Sequence, residues 1–152
     1  MRRTIRLTET TDITALQNVL DATELFPTEM LPQMFNSTCK QASALWLTAF
    51  EDDKPVGFCH AIAEEMTNRT WNLLAIAVDP ASQGGGHGRS LVSTLEMVLR
   101  EKEQRLLIID TSGTDAFSRT RNFYRDLGYG EAARIRDFWD AGDDKVTFRK
   151  QL

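Results

Sequence analysis

The stretch Gln83-Gly84-Gly85-Gly86-His87-Gly88-Arg89 constrains this chain more than any other segment. It follows an apolar run, Trp71 to Val78, and precedes Leu91, Val92, Leu95, Val98 and Leu99, which recur at helical spacing. A strand therefore runs into a glycine-rich turn that opens an amphipathic helix, predicted from about Gly88 to Glu103. Glycines at such a place allow positive φ and let a ligand approach the backbone closely. The unpaired N–H groups of the helix's first turn, together with its dipole, favour a phosphate. Arg89 adds a fork of donors in that turn. The plain alternative is a turn without a ligand, but four glycines ahead of a strong helix cost conformational entropy that such a turn does not need.

Two familiar phosphate loops fail at named positions. A dinucleotide fingerprint counted from Gly84 and Gly86 needs a third glycine where Arg89 stands. A nucleotide P-loop would need glycine at Gln83 and lysine at Arg89. The strands before the loop disagree with both. Ala44 to Phe50, Pro55 to Met66 and Trp71 to Val78 are joined by short turns and so are predicted to be antiparallel neighbours.

The remaining elements complete the order β-α-α-β-β-β-α-β-α-β-β. Thr4 to Thr8 reads as an opening strand, and Ile13, Leu16, Val19 and Leu20 share one helix face. Pro27 opens a second helical stretch through about Lys40. Leu106 to Asp110 is a short strand. Thr114-Asp115 caps a helix whose apolar face includes Phe117, Phe123 and Leu127 before Gly128 ends it. Ala133 to Trp139 and Val146 to Leu152 close the chain as two strands. With 152 residues and no linker or repeat, one α+β domain over residues 1–152 is expected.

Composition excludes several function classes. A net charge of −4 lacks the basic excess of a nucleic-acid binder, and no apolar run is long enough for a membrane span. Met1 to Arg6 carries positive charge without an apolar h-region, so no secretory signal is expected. Cys39 and Cys59 offer neither a disulfide framework nor zinc-ligand spacing and read as two half-buried thiols in a reducing cytoplasm; no metal site is expected.

Val78-Asp79-Pro80-Ala81-Ser82-Gln83-Gly84-Gly85-Gly86-His87-Gly88-Arg89-Ser90-Leu91 resembles the signature of the GNAT superfamily of acyl-CoA-dependent N-acetyltransferases, with Gln83, Gly86 and Gly88 on its [Q/R]-x-x-G-x-[G/A] loop. Asn122-Phe123-Tyr124-Arg125-Asp126-Leu127-Gly128-Tyr129 is similar to that family's last-helix block, F-Y-x-x-x-G-[F/Y]. The resemblance implies a GNAT-like mixed, mostly antiparallel central sheet of about seven strands flanked by about four helices. It also implies transfer of an acetyl group from acetyl-CoA to a primary amine by direct attack in a ternary complex. The acceptor would be a small molecule, a peptide N-terminus or a lysine, with no nucleic acid or membrane involved and a homodimer left open.

Residue roles follow from the same resemblance. Gly84, Gly86, Gly88 and Arg89 would hold the pyrophosphate with Gln83 lining its entry, and the backbone at Ile76 and Val78 would pair with the pantetheine arm. Tyr124 would protonate the leaving thiolate as general acid. For the base, Glu64, Glu65 or His60 could take the amine proton directly or through water, while Asn72, standing where some relatives place a glutamate, points toward a water-relayed or external base. His87 would face solvent or the phosphates, and Tyr129 the core. The helix before Tyr124 departs from the family at Phe117, where many members have asparagine, and at Thr120, where alanine is usual. Phe26, Met30, Met34, Phe138 and Trp139 would wall the acceptor cleft. Two other classes remain beside the enzyme: a non-catalytic acyl-CoA-binding module with the same loop, and a nucleotide-phosphate binder using the near-P-loop.

Overall fold

Short loops between successive apolar segments force most strands of this chain into antiparallel pairs, and a computed structural model describing Met1 to Leu152 places them in one sheet. The elements are β1 (Arg3–Leu7), α1 (Ile13–Thr23), α2 (Leu31–Thr38), β2 (Ala44–Glu51), β3 (Lys54–Ala63), β4 (Thr70–Val78), α3 (His87–Glu101), β5 (Leu106–Ser112), α4 (Ser118–Asp126), β6 (Gly130–Asp140) and β7 (Asp143–Gln151). The strand order is β1-β2-β3-β4-β5-β7-β6, antiparallel throughout except for β4 and β5. That one parallel pair is connected through α3, as a parallel crossover requires.

The helices divide into two layers. Leu91, Val92, Leu95 and Leu99 of α3 pack with Leu47, Cys59, Leu73, Leu107 and Phe148 on one face of the sheet. Leu16, Val19 and Leu20 of α1 and Leu31 and Phe35 of α2 pack on Trp46 and Phe58 on the other. The second helix is shorter than its apolar pattern suggests. It starts at Leu31 after a separate turn at Thr28–Met30, with Pro32 in its first turn, where a missing N–H costs nothing.

The feature that makes a site is a gap in the sheet. β4 and β5 pair only from Thr70↔Leu106 to Leu73↔Ile109, and then diverge. At the same point Ala61 opposes Leu73 and His60 opposes Ala75, so Leu74 has no partner on β3 and none on β5. This bulge reverses the side-chain phase of β4. Trp71 and Leu73 belong to the α3 layer, whereas Ala75 and Ala77 belong to the α1 layer, although strict alternation would put all four together. No helix is long and apolar enough to cross a membrane.

Candidate active site

The loop between β4 and α3 bonds its first amides within itself and leaves those at the start of α3 free. Asp79 accepts from Ala81 N–H at 3.0 Å and Pro80 starts a short turn, which lifts the chain off the end of β4. Gln83 Nε2 donates to Val78 O at 3.0 Å and holds the loop against the strand it leaves. Gly86 then takes φ +85 as the N-cap of α3, a conformation costly for any residue with a Cβ. The helix's backbone bonding begins with Ser90 N–H to Gly86 O at 3.0 Å, so the amides of His87, Gly88 and Arg89 have no acceptor within the helix.

These amides face a cleft of about 550 Å³ lined by Ile76, Val78, Gln83, Gly84, Gly86, Gly88 and Arg89. Every loop and strand residue assigned to the cofactor from sequence thus meets at one place. The opposite wall is α4, with Arg119, Thr120, Phe123 and Tyr124. The two walls are close: a Cβ on Gly88 would lie 3.3 Å from Phe123 Cζ. Arg119 is not among the residues that the sequence pattern points to, and its only local signal is an exposed arginine in the turn before the Phe-Tyr pair.

His87 does not face solvent. It is buried, it lines the cleft of the glycine loop, and its Nε2 lies 2.7 Å from Glu51 Oε1 at the end of β2. Arg3 of β1 also donates to Gly85 O. The glycine loop is therefore tied down by two strands far away in sequence.

Tyr124 sits in the last turn of α4, which ends in a Schellman arrangement. Gly128 takes φ +94 and donates to Arg125 O at 3.0 Å, while Tyr129 N–H returns to Tyr124 O at 3.0 Å. The Tyr124 ring is buried among Phe123, Tyr129 and Phe148. Burial, and secondarily the nearby Cys59, push its phenol above the ordinary tyrosine value, so it keeps its proton at neutral pH. Tyr129 is a core residue, as expected, and donates to Glu96 Oε2 at 2.7 Å. Phe117 does not join the apolar face of α4; it lies exposed in the preceding turn and lines a second cleft.

That second cleft, of about 410 Å³, opens on the far side of the divergence between β4 and β5. Ile76, Thr120 and Tyr124 line both clefts, so the two meet at the tyrosine. Of the residues expected at the acceptor, only Trp139 lines it; Leu25, Leu74 and Phe117 are the other exposed large apolar side chains in its lining. Phe26, ahead of α2, and Met34, on it, instead pack against the α1 layer.

The base candidates separate cleanly. His60 is stacked on Trp46 with ring centroids 3.8 Å apart, and its Nδ1 lies 3.1 Å from Leu45 O. Burial lowers its pKa, with the Leu45 contact opposing, which marks a neutral core histidine. Glu65 is exposed. Glu64 Oε1 accepts from Asn72 Nδ2 at 2.9 Å, and the same amide reaches Asp110 Oδ2 at 3.4 Å. Asp110, on β5, lines the second cleft, and its other oxygen accepts from Thr147 Oγ1 at 2.6 Å. Asn72 Oδ1 is the one buried side-chain oxygen or nitrogen without a partner. No group of three metal-ligating side chains is present.

The sequence profile described as the acetyltransferase (GNAT) family matches residues 11–129. The chain belongs to that family. As a GNAT protein it is by class an acyltransferase. Among solved structures, a GNAT-family protein from Desulfovibrio desulfuricans superposes with a TM-score of 0.90 at 28% identity, covering 99% of each chain. The ribosomal-protein-S18-alanine N-acetyltransferase of Escherichia coli superposes at 0.83 with 23% identity, over 99% of this chain and 94% of that one. The PaiA N-acetyltransferase of Thermoplasma acidophilum, in complex with coenzyme A, superposes at 0.79 with 18% identity over both full chains. The latter two share the fold. A comparison with curated protein sequences gives no match.

Proposed function

We propose that this GNAT protein moves the acetyl group of acetyl-CoA to a primary amine by direct attack within a ternary complex. The observation that carries this reading is the junction at Tyr124: one cleft leads to free helix amides, the other to carboxylates, and Ile76, Thr120 and Tyr124 belong to both. Gly84, Gly86 and Gly88 let the pyrophosphate reach the amides, Arg89 and Arg119 face it from the two walls, and Gln83 shapes the loop. The outward backbone of β4 at Ile76 and the N–H of Val78, past the last pair with β5, are available to the pantetheine arm as an added strand, while Val78 O already accepts from Gln83 Nε2. The bound coenzyme A of the Thermoplasma acidophilum neighbour supports this choice of cosubstrate.

The chemistry divides among few groups. The amine nitrogen forms a bond to the thioester carbon, the carbon–sulfur bond breaks, and the amine gives up a proton while the thiolate gains one. Leu74, skipped in the register on both sides, offers its peptide N–H to the carbonyl oxygen as charge develops there. Tyr124 protonates the thiolate. Asp110 takes the amine proton directly or through water, with Glu64 one side chain behind it on Asn72. A reducing cytoplasm suits the two free thiols, exposed Cys39 and buried Cys59.

Thiol release from acetyl-CoA across a panel of amines and peptides tests the reading, alongside a thermal-shift comparison of acetyl-CoA with ATP. Stabilisation by acetyl-CoA and amine-dependent thiol release are expected. Tight acetyl-CoA binding without release to any amine would instead describe a binding module, and a preference for ATP would remove the reading altogether.

A further inference from the structure

Eleven large apolar side chains are exposed on this protein, and four of them, Leu25, Leu74, Phe117 and Trp139, converge on the second cleft. They come from four separate parts of the chain: the connection after α1, the bulge of β4, the turn before α4, and β6. Scattered exposed apolar residues need no explanation, but convergence around one concave site does. The two charged residues of the lining are both acidic, Asp110 on β5 and Asp143 at the start of β7.

The Trp139 wall is actively constructed. Between Ile135↔Lys145 and Asp140↔Asp143, four residues of β6 stand against one of β7. Asp137 in this loop-out takes φ +54, which disfavours a residue with a Cβ. Asp144 holds the loop-out by accepting from Asp137 N–H at 3.1 Å and from Arg134 at 2.9 Å, and these contacts depress its pKa. Trp139 Nε1 then donates to Thr111 O at 3.3 Å, and its ring stands edge-on to Phe138 at 4.8 Å. A strained segment stapled by a carboxylate thus fixes an indole at the mouth of the cleft. Its position is set before any ligand arrives.

The charges below it are also set. Asp143 Oδ1 accepts from Ser112 at 2.5 Å, and Asp110 is held by Thr147 and Asn72. Lys145 lies 3.7 Å from Asp110 but is shared with the Phe138 ring, 4.4 Å away. Neither Lys145 nor Arg121, which donates to Ser112 O at 2.8 Å, lines the cleft, so the charged side chains of its lining are Asp110 and Asp143.

We infer that the acceptor is a small primary amine carried on an aromatic or branched aliphatic body: its ammonium meets Asp110 and Asp143 near Tyr124, and its body packs among Leu25, Leu74, Phe117 and Trp139. This rests on the acetyltransferase reading and narrows its acceptor. A volume of about 410 Å³ suits a compact molecule. A polyamine would leave four apolar walls wet, and a sugar would place hydroxyls against them without partners.

The test compares phenethylamine and isopentylamine with ethanolamine, spermidine, and short peptides that begin with alanine or phenylalanine, each as acceptor for acetyl-CoA. The apolar amines are expected to exceed ethanolamine in kcat/KM by about thirtyfold or more. Phe117→Ser and Leu25→Ser, both at exposed positions, should each cut that ratio at least about fivefold while acetyl-CoA affinity measured by calorimetry stays within about twofold. A ratio near one, or a preference for spermidine or either peptide, overturns the acceptor assignment and leaves acetyl transfer standing. Calorimetry of phenethylamine with the CoA-bound protein separates the two readings. Binding that weakens in Phe117→Ser without any turnover supports the site and refutes the transferase, whereas no binding to the CoA-bound protein overturns the site.

Discussion

His87 Nε2 lies 2.7 Å from Glu51 Oε1, so the first residue of α3 is fastened to the last residue of β2. With Arg3 bonded to Gly85 O, this contact fixes the direction in which the free amides point. A ligand loop held in its bound shape loses less entropy on binding.

Removing that fastening is expected to weaken coenzyme A binding. Glu51→Ala leaves the buried His87 nitrogen without its partner, at a cost of about 1–3 kcal/mol divided between stability and affinity. Glu51→Gln keeps an acceptor and should retain most of the affinity. Calorimetry with coenzyme A on both variants checks this; equal affinity in wild type and Glu51→Ala would show that the loop holds its shape unaided.

Gly86→Val should remain folded but lose coenzyme A affinity by about 1–3 kcal/mol. At φ +85 a valine is strained, and its nearest neighbour is only the flexible end of Arg3 at 3.3 Å, so the damage stays within the loop. Arg89→Ala and Arg119→Ala should each weaken binding of coenzyme A more than binding of its pantetheine fragment, since each deletes a charge facing the proposed phosphate site. Equal losses for both ligands would assign the arginines to packing.

Tyr124→Phe keeps the ring among Phe123, Tyr129 and Phe148 and removes only the hydroxyl. Turnover at saturating amine should fall by about 10²-fold or more, with the affinity for acetyl-CoA nearly unchanged. Because burial raises the phenol's pKa, no loss of activity from its ionisation is expected as pH rises through 7 to 9. Wild-type turnover in the variant would leave Tyr124 a packing residue.

His60 makes stability depend on pH. Its folded pKa is lowered by burial, so below the ordinary value of 6.5 the unfolded chain takes up a proton that the folded chain refuses. Its contribution is present above pH 6.5 and is lost as pH falls toward the depressed folded value. Thermal unfolding followed from pH 7.5 to 5.5 should show a smaller decline for His60→Gln than for wild type. Parallel declines would show that His60 titrates alike in both states.

Much of the fold was legible because its signals are local. The spacing of Leu91, Leu95 and Leu99, the proline at position 80, and the glycines at 86 and 128 report on the conformation of their own segments. For the same reason the glycine loop could be read residue by residue, and Gln83, Gly84, Gly86, Gly88, Arg89, Ile76 and Val78 do line one cleft. The acceptor side could not be read in this way. Leu74 is skipped only because β3 and β5 meet β4 in particular registers, and Trp139 reaches the cleft only because four residues of β6 bulge against one of β7. His87 is buried because the end of β2 lies beneath it, and Asp110 joins Glu64 only through Asn72 on the strand between them. Backbone propensity acts over a few neighbouring residues. Strand register and the divergence of β4 from β5 arise from the packing of whole layers, so they belong to the tertiary structure alone.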